Sequence, residues 1–146
     1  RLIVHAAEDI GLADPGALSI ATAAASAVQY VGLPEARIPL AEAVIYLCTA
    51  PKSNSSKVAI DAALSKVRTG NSIKVPSHLG DTSHSQAGSK LGKGKGYKYP
   101  HDFGGYVEQS YLPAELGKVN FYQPGNNGYE NTIKDFLQSL PDKTKK

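Results

Sequence analysis

The 146-residue chain contains no methionine and a single cysteine, Cys48. One cysteine excludes an intramolecular disulfide and any zinc site built on several cysteines, and it suits a reducing compartment. No run approaches the roughly eighteen apolar residues that a bilayer-spanning helix needs, and the first residues lack the basic-then-apolar order of a signal peptide. These absences point to a soluble, cytoplasmic protein with no membrane partner. A chain that starts at Arg1 and holds no methionine reads as a piece of a longer protein, with further chemistry expected upstream.

A strong charge of one sign is missing too. Sixteen basic and 13 acidic side chains give a net +3, divided as +1 over residues 1–75 and +2 over 76–146. That excess alone does not demand a polyanionic partner. Hydrophobic content of 41% and charged content of 20% are ordinary for a globular protein. The length suits one domain with a real hydrophobic core.

What is present begins as consecutive helices. Residues 2–10, LIVHAAEDI, read as the end of a helix. Asp14-Pro15 is a start signal, because aspartate accepts orphan backbone N–H bonds and proline at the first helical position sacrifices none. Ala17, Ile20, Ala24, Ala27, Val28 and Val31 follow at helical spacing, and Gly32 supplies the stop. The small side chains of IATAAASA suit close approach by another helix. In LPEARIPLAEAVIYLCTAP, Pro34 and Pro39 can each open a helical turn, and Pro51 marks the far end. Leu40 to Cys48 is apolar on almost every side except Glu42, which predicts a buried helix with Cys48 in the core. A further helix carries the stripe Ile60, Ala63, Leu64 and Val67, ending at Gly70.

Beyond Gly70 the texture changes to Gly, Pro and Tyr punctuation, which predicts loops, short helical turns and a small strand pair around KVNFYQP. A last helix places Tyr129, Ile133, Phe136, Leu137 and Leu140 on one face after the PGNNG turn, and PDKTKK reads as a frayed basic tail.

The segment KLGKGKGYKYPHD invites three readings: a phosphate cradle, a nucleic-acid clamp or a solvated loop. The phosphate patterns fail. No GK is followed by Ser or Thr as a P-loop requires, and Tyr97 stands where G-x-G-x-x-G needs its third glycine after Gly92 and Gly94. As a clamp, Lys90, Lys93, Lys95 and Lys98 would neutralise phosphates, and Tyr97 and Tyr99 would stack on bases. As a solvated turn, the loop would keep a glycine-rich surface soluble while the tyrosines face the core.

Other candidate chemistry is sparser. His78 and His84 are six residues apart, which is not the spacing that sets two ligands on one helix face. His101-Asp102 is expected to pin its loop, and His5 to be a satisfied, partly buried histidine. Glu8, Asp9 and Asp14 read as caps and turn anchors, and no G-x-S-x-G elbow marks a serine hydrolase.

The blocks AAEDIGLADPGAL, VGLPEARIPLAEAVIYLCTAPKSN, VPSHLGD, LGKGKGYKYPHD, YLP and FYQPGNNGYE occur in one order across nearly the whole chain. Together they resemble the C-terminal region of the MgsA/RarA family, replication-associated recombination AAA+ ATPases related to the Werner-helicase-interacting protein. The resemblance implies a mostly α-helical, bundle-like domain, similar to a clamp-loader collar, with an irregular Gly/Pro/Tyr-rich C-terminal half. Residues 1–146 would form a single C-terminal oligomerisation domain, with 1–13 closing the preceding lid. It further implies a homotetramer, single-stranded or fork DNA and single-strand-binding protein as partners, a nucleoid-associated location, and ATP and Mg held by an absent N-terminal part. No catalytic, cofactor or metal residue is expected within this fragment. The chain departs from many relatives after VPSHL, where it has GDTSHSQAG, and any arginine contact made there by relatives is in doubt at Gly80.

The leading expectation is an oligomerisation scaffold whose core or subunit contacts use Ala17, Ile20, Ala24, Val28, Val31, Leu40, Val44 and Leu47. The alternative is a DNA-contacting module built on Lys90, Lys93, Lys95, Lys98 and Tyr97. A stand-alone enzyme would need a convergent pocket of acid, base and donor groups.

Overall fold

The computed structural model describes residues 1–69, 74–80, 94–117 and 119–140. Gly70, His84, the segment after Gly80, Lys90, Gly92, Lys93, Lys118 and the PDKTKK tail, of which the sequence raised expectations, lie outside the described residues. The chain divides into two compact units, one of Arg1–Ser65 with Asn120–Lys146, the other of Lys66–Val119. The fold is mostly α-helical, and no strand occurs among the described residues.

The first unit opens with α1, Leu2–His5, which runs on through a π-helical turn, Ala6–Ile10, and a 3-10 turn, Gly11–Ala13. Helix α2 spans Gly16–Val31. Its start follows from Asp14: Oδ1 accepts the Gly16 N–H at 3.0 Å, and Oδ2 accepts the Tyr46 hydroxyl at 2.7 Å. One carboxylate therefore caps α2 and ties it to α3, Arg37–Thr49, the helix against which α2 chiefly packs. Alanine, the strongest helix former, dominates α2, and Gly32 ends it with a positive φ of 75°. Lys52 closes α3, donating from Nζ to the carbonyls of Leu47 at 2.9 Å, Cys48 and Ala50.

Helix α4 spans Ser55–Thr69, and α5 spans Glu130–Ser139. The core of this unit is built almost wholly from alanine: Ala6, Ala13, Ala17, Ala21, Ala24, Ala36 and Ala43, with Ile10 and Leu47 as its large members. Small side chains let the helix backbones approach closely, and they leave the bulkier apolar residues outside.

Several expectations are corrected here. Helix α3 is not buried all round; its covered side is Ala43 and Leu47, four residues apart, while Val44, Ile45 and Cys48 are exposed. Each residue turns the helix by about 100°, so Cys48 cannot share the face of Leu47. Ile60, Leu64 and Val67 of α4 are likewise exposed, as are Phe136 and Leu137 of α5. No strand pair forms in residues 119–124, where Pro124 lacks a backbone donor.

The second unit, among its described residues, holds the end of α4, Lys66–Thr69, and beyond it short 3-10 turns, Ser77–Leu79, Pro100–Phe103 and Ala114–Leu116, with loops. None of those residues is buried. Side chains paired with backbone hold it instead. His78 Nε2 lies 2.7 Å from Ser110 O, and the Gly94 N–H donates to Ser77 O at 2.9 Å.

Candidate functional site

Glu130 is the one charged residue buried in the first unit among those described. It opens α5, where a carboxylate favours the helix N-terminus. Its Oε1 accepts from the hydroxyls of Ser55 and of Tyr122, the latter at 3.1 Å, and its Oε2 accepts the Gly125 N–H at 3.0 Å. Burial pushes this carboxyl up, but hydrogen bonds from Ser53, Ser55, Tyr122 and the Gly125 backbone outweigh burial and hold it below the ordinary glutamate value. Burial raises the Tyr122 phenol, and its bond to Glu130 adds to the rise. A Cβ on Gly125 would stand 2.6 Å from Glu130 Oε2, so glycine is what lets that backbone N–H reach the carboxylate. In the sequence, PGNNG marks a turn and FYQPGNNGYE a family block, and neither singles out Glu130. The available signal was a glutamate directly after a glycine-rich turn, at the first position of a helix.

The same block is pinned at two more points. The Asn127 side chain donates to Lys52 O at 2.9 Å, and the Tyr129 N–H to Ala13 O at 2.8 Å. This constellation holds structure together. Nearby, an open groove of about 530 Å³ is lined by His5, Asp9, Lys52, Ser53 and Asn54. His5 Nδ1 and Asp9 Oδ2 pair at 2.7 Å, and Lys52 is engaged with α3, so the charged groups of the groove all have partners within the fold. Among the described residues, no group of three or more His, Cys, Asp or Glu stands close enough to hold a metal.

The residues expected at a core or subunit contact separate into two sets. Ala17, Ala24 and Leu47 are buried, and Ile20, Val28 and Leu40 are half-buried. Val31 and Val44 are exposed, in company with Tyr30 at 88% exposure, Leu33, Ile38 and Ile45 at 65%. The α2–α3 connection and one side of α3 thus present large apolar side chains to solvent.

Of the loop residues, Lys95, Tyr97 and Lys98 are described and all three are exposed. Tyr97 at 44% and Tyr99 at 53% exposure do not face a core. The physical reason is that Gln109, not the rings, braces this stretch: its Oε1 accepts the Lys98 N–H at 3.1 Å and its Nε2 donates to Lys98 O at 2.7 Å. His101 makes a tilted ring contact with Tyr99, centroids 5.0 Å apart.

A family profile described as MgsA AAA+ ATPase C terminal matches residues 1–141. The chain is 48% identical over 142 residues to the replication-associated recombination protein A of Bacillus subtilis, covering 96% of this chain and 34% of that protein. It is 35% identical to the protein of the same name from Escherichia coli K12, covering 97% and 32%. It is 34% identical to the ATPase WRNIP1 of Dictyostelium discoideum, covering 84% and 14%. The chain spans about a third of the length of the bacterial relatives.

Proposed function

This chain belongs to the MgsA AAA+ ATPase C-terminal family, and from that premise we propose that it is the oligomerisation and scaffold domain of a larger AAA+ ATPase acting in replication-fork maintenance, recombination and repair. The observation that carries the reading is the inverted distribution of apolar side chains. Alanines fill the core, while Tyr30, Val31, Leu33, Ile38, Val44 and Ile45 stand in solvent. Apolar surface of that extent is characteristic of surfaces that meet a partner, and a second copy of the chain is the partner proposed, in a homotetramer. ATP and Mg would be bound outside these 146 residues, and the assembled protein would work on single-stranded or fork DNA alongside single-strand-binding protein.

Light scattering on the chain tests this. A mass above the monomer's at micromolar concentration is expected, reduced by Ile38→Ser/Ile45→Ser, whose side chains contribute little to the fold. A strictly monomeric chain across that range removes the self-association reading.

A second reading is favoured by one observation in the other unit. Lys95 and Lys98 are exposed with no acidic partner among the described residues, which fits a DNA contact by this loop.

A further inference from the structure

We propose that Asn127 is a site of spontaneous covalent modification, at which the side-chain amide is lost as ammonia and the backbone is re-routed through the side chain, and that this change unfastens α5 from the rest of the first unit. The residue lies where distant stretches meet. Asn127 Nδ2 donates to Lys52 O at 2.9 Å, just past the end of α3. The Tyr129 N–H donates to Ala13 O at 2.8 Å, ahead of α2, and the Asn127 carbonyl accepts the Glu130 N–H at 3.2 Å, at the start of α5.

Asparagine followed by glycine is the pair in which the amide is most readily displaced, because glycine has no Cβ to keep its backbone nitrogen away from the preceding side chain. Packing forbids the simple escape of another residue at 128. Gly128 has a φ of +56°, and a Cβ there would stand 2.0 Å from Ala13 O and 2.9 Å from Pro51 Cγ. The bond to Lys52 O in turn calls for an amide donor at 127, since a carboxylate would set an acceptor against an acceptor. The fold thus holds the labile pair in place, and it leaves that pair open. Asn127 and Gly128 are both exposed, so water reaches the bond. Among the described residues nothing accepts the Gly128 N–H, so the attacking nitrogen is not held in another bond.

The chemistry needs only water. The Gly128 nitrogen gives its proton to solvent base and bonds to Asn127 Cγ, while the bond from Cγ to Nδ2 breaks and that nitrogen leaves as ammonia. Water then opens the cyclic imide. Opening at Cγ leaves an ordinary aspartate. Opening at the former backbone carbonyl leaves isoaspartate, whose main chain runs through Cβ and Cγ with an extra methylene and whose old carbonyl is a free carboxylate. Either product removes the donor to Lys52 O and leaves that carbonyl facing an acid. Isoaspartate also displaces the acceptor of the Glu130 N–H and lengthens the chain ahead of Tyr129, so the tie to Ala13 and the seat of Glu130 shift together.

The experiment holds the folded 146-residue chain in mildly alkaline buffer, samples it over time, and maps peptides by mass spectrometry with isoaspartyl methyltransferase labelling. Asn126 and Asn131 are the internal controls, exposed in the same stretch but followed by residues with side chains. Asn127 is expected to convert several-fold faster than either, with isoaspartate the larger product. The converted chain, separated by anion exchange, should unfold at lower denaturant than the parent, and lower than Asn127→Asp, which carries the acid without the added methylene. Asn127→Gln, whose longer side chain closes an imide far more slowly, should stay unmodified over the same period. Conversion at Asn127 no faster than at Asn126 and Asn131, or conversion seen only when the chain is unfolded in denaturant, overturns the site. That comparison uses the unsubstituted chain, so it does not depend on any variant folding. A converted chain with the parent's denaturant midpoint overturns the unfastening of α5.

Discussion

The two compact units of this chain solve the problem of staying folded by different means. Among the described residues, the unit of Arg1–Ser65 and Asn120–Lys146 buries nine apolar residues and one carboxylate, whereas Lys66–Val119 buries none. The first is fixed by close helix approach and by Glu130, whose partners come from two stretches distant in sequence, Ser55 from one and Tyr122 and Gly125 from the other. The second is fixed by exposed pairings such as Gln109 with Lys98. Buried networks gain strength from their low-dielectric surroundings, while exposed hydrogen bonds compete with water. The difference teaches where rigidity and adaptability lie: the alanine core can carry a fixed assembly surface, and the loop unit can yield to a ligand.

The largest test sets one glycine from each unit side by side. A Cβ on Gly128 would lie 2.0 Å from Ala13 O and 2.9 Å from Pro51 Cγ, at a φ of +56°. Gly104 has a similar φ of +73°, with nothing within 4 Å of its Cβ position. Gly128→Ala should therefore cost about 3 kcal/mol or more, from clash added to left-handed strain, and Gly104→Ala about 1 kcal/mol from strain alone. Denaturant midpoints measure both. Equal losses would erase the contrast between packed and open backbone.

Next in size is the Glu130 network. Glu130→Ala leaves buried hydroxyl and amide donors unpaired and should cost about 3 kcal/mol, against about 1 kcal/mol for Gln109→Ala, whose partners are rewetted. The pH dependence carries a sign. Because the folded Glu130 carboxyl is held below the ordinary value, its contribution is present above that value and is lost as pH falls through the depressed one. At the alkaline end the raised phenols of Tyr46, held chiefly by the bond to Asp14, and of Tyr122, held chiefly by burial, act oppositely. Their contribution is intact below the ordinary tyrosine range and is lost as pH rises through the raised values. Thermal melts of Glu130→Gln should show a shallower acid limb than the parent and an unchanged alkaline one. An acid limb identical to the parent's would show that Glu130 does not carry it.

How much of this was legible beforehand depends on the range of the interaction. The start of α2 at Asp14 and its end at Gly32 were readable, because caps and positive-φ stops act over a few residues. The family was readable from ordered blocks. Glu130 was not, since the Ser55 that serves it lies 75 residues away and nothing local distinguishes a keystone carboxylate from a helix-start glutamate. The solvated-turn reading of the loop had Tyr97 and Tyr99 facing the core; the glutamine that braces their backbone instead comes from eleven residues downstream of Lys98. In Leu40 to Cys48, an almost uniformly apolar pattern has no period from which to choose the covered side.

Cys48 turns that last ambiguity into the smallest and cheapest test of the comparison. It is exposed on α3, the turn after Val44 and beside Ile45, so it reports on the apolar side of the first unit without disturbing the core. Thiol alkylation requires access to the sulfur, and a thiol in packed apolar surroundings is inert. In dilute native protein, Cys48 should react with iodoacetamide at close to its rate in the unfolded chain. As concentration rises into the range where light scattering shows assembly, the rate should fall if a second copy covers this side of α3. Stability should be untouched throughout, because Cys48→Ser removes no buried contact. Slow alkylation in dilute monomer would place the sulfur in the core after all. A rate that ignores assembly would leave α3 uncovered and move the subunit contact to the other exposed apolar residues, Tyr30, Val31 and Leu33, at the α2–α3 connection.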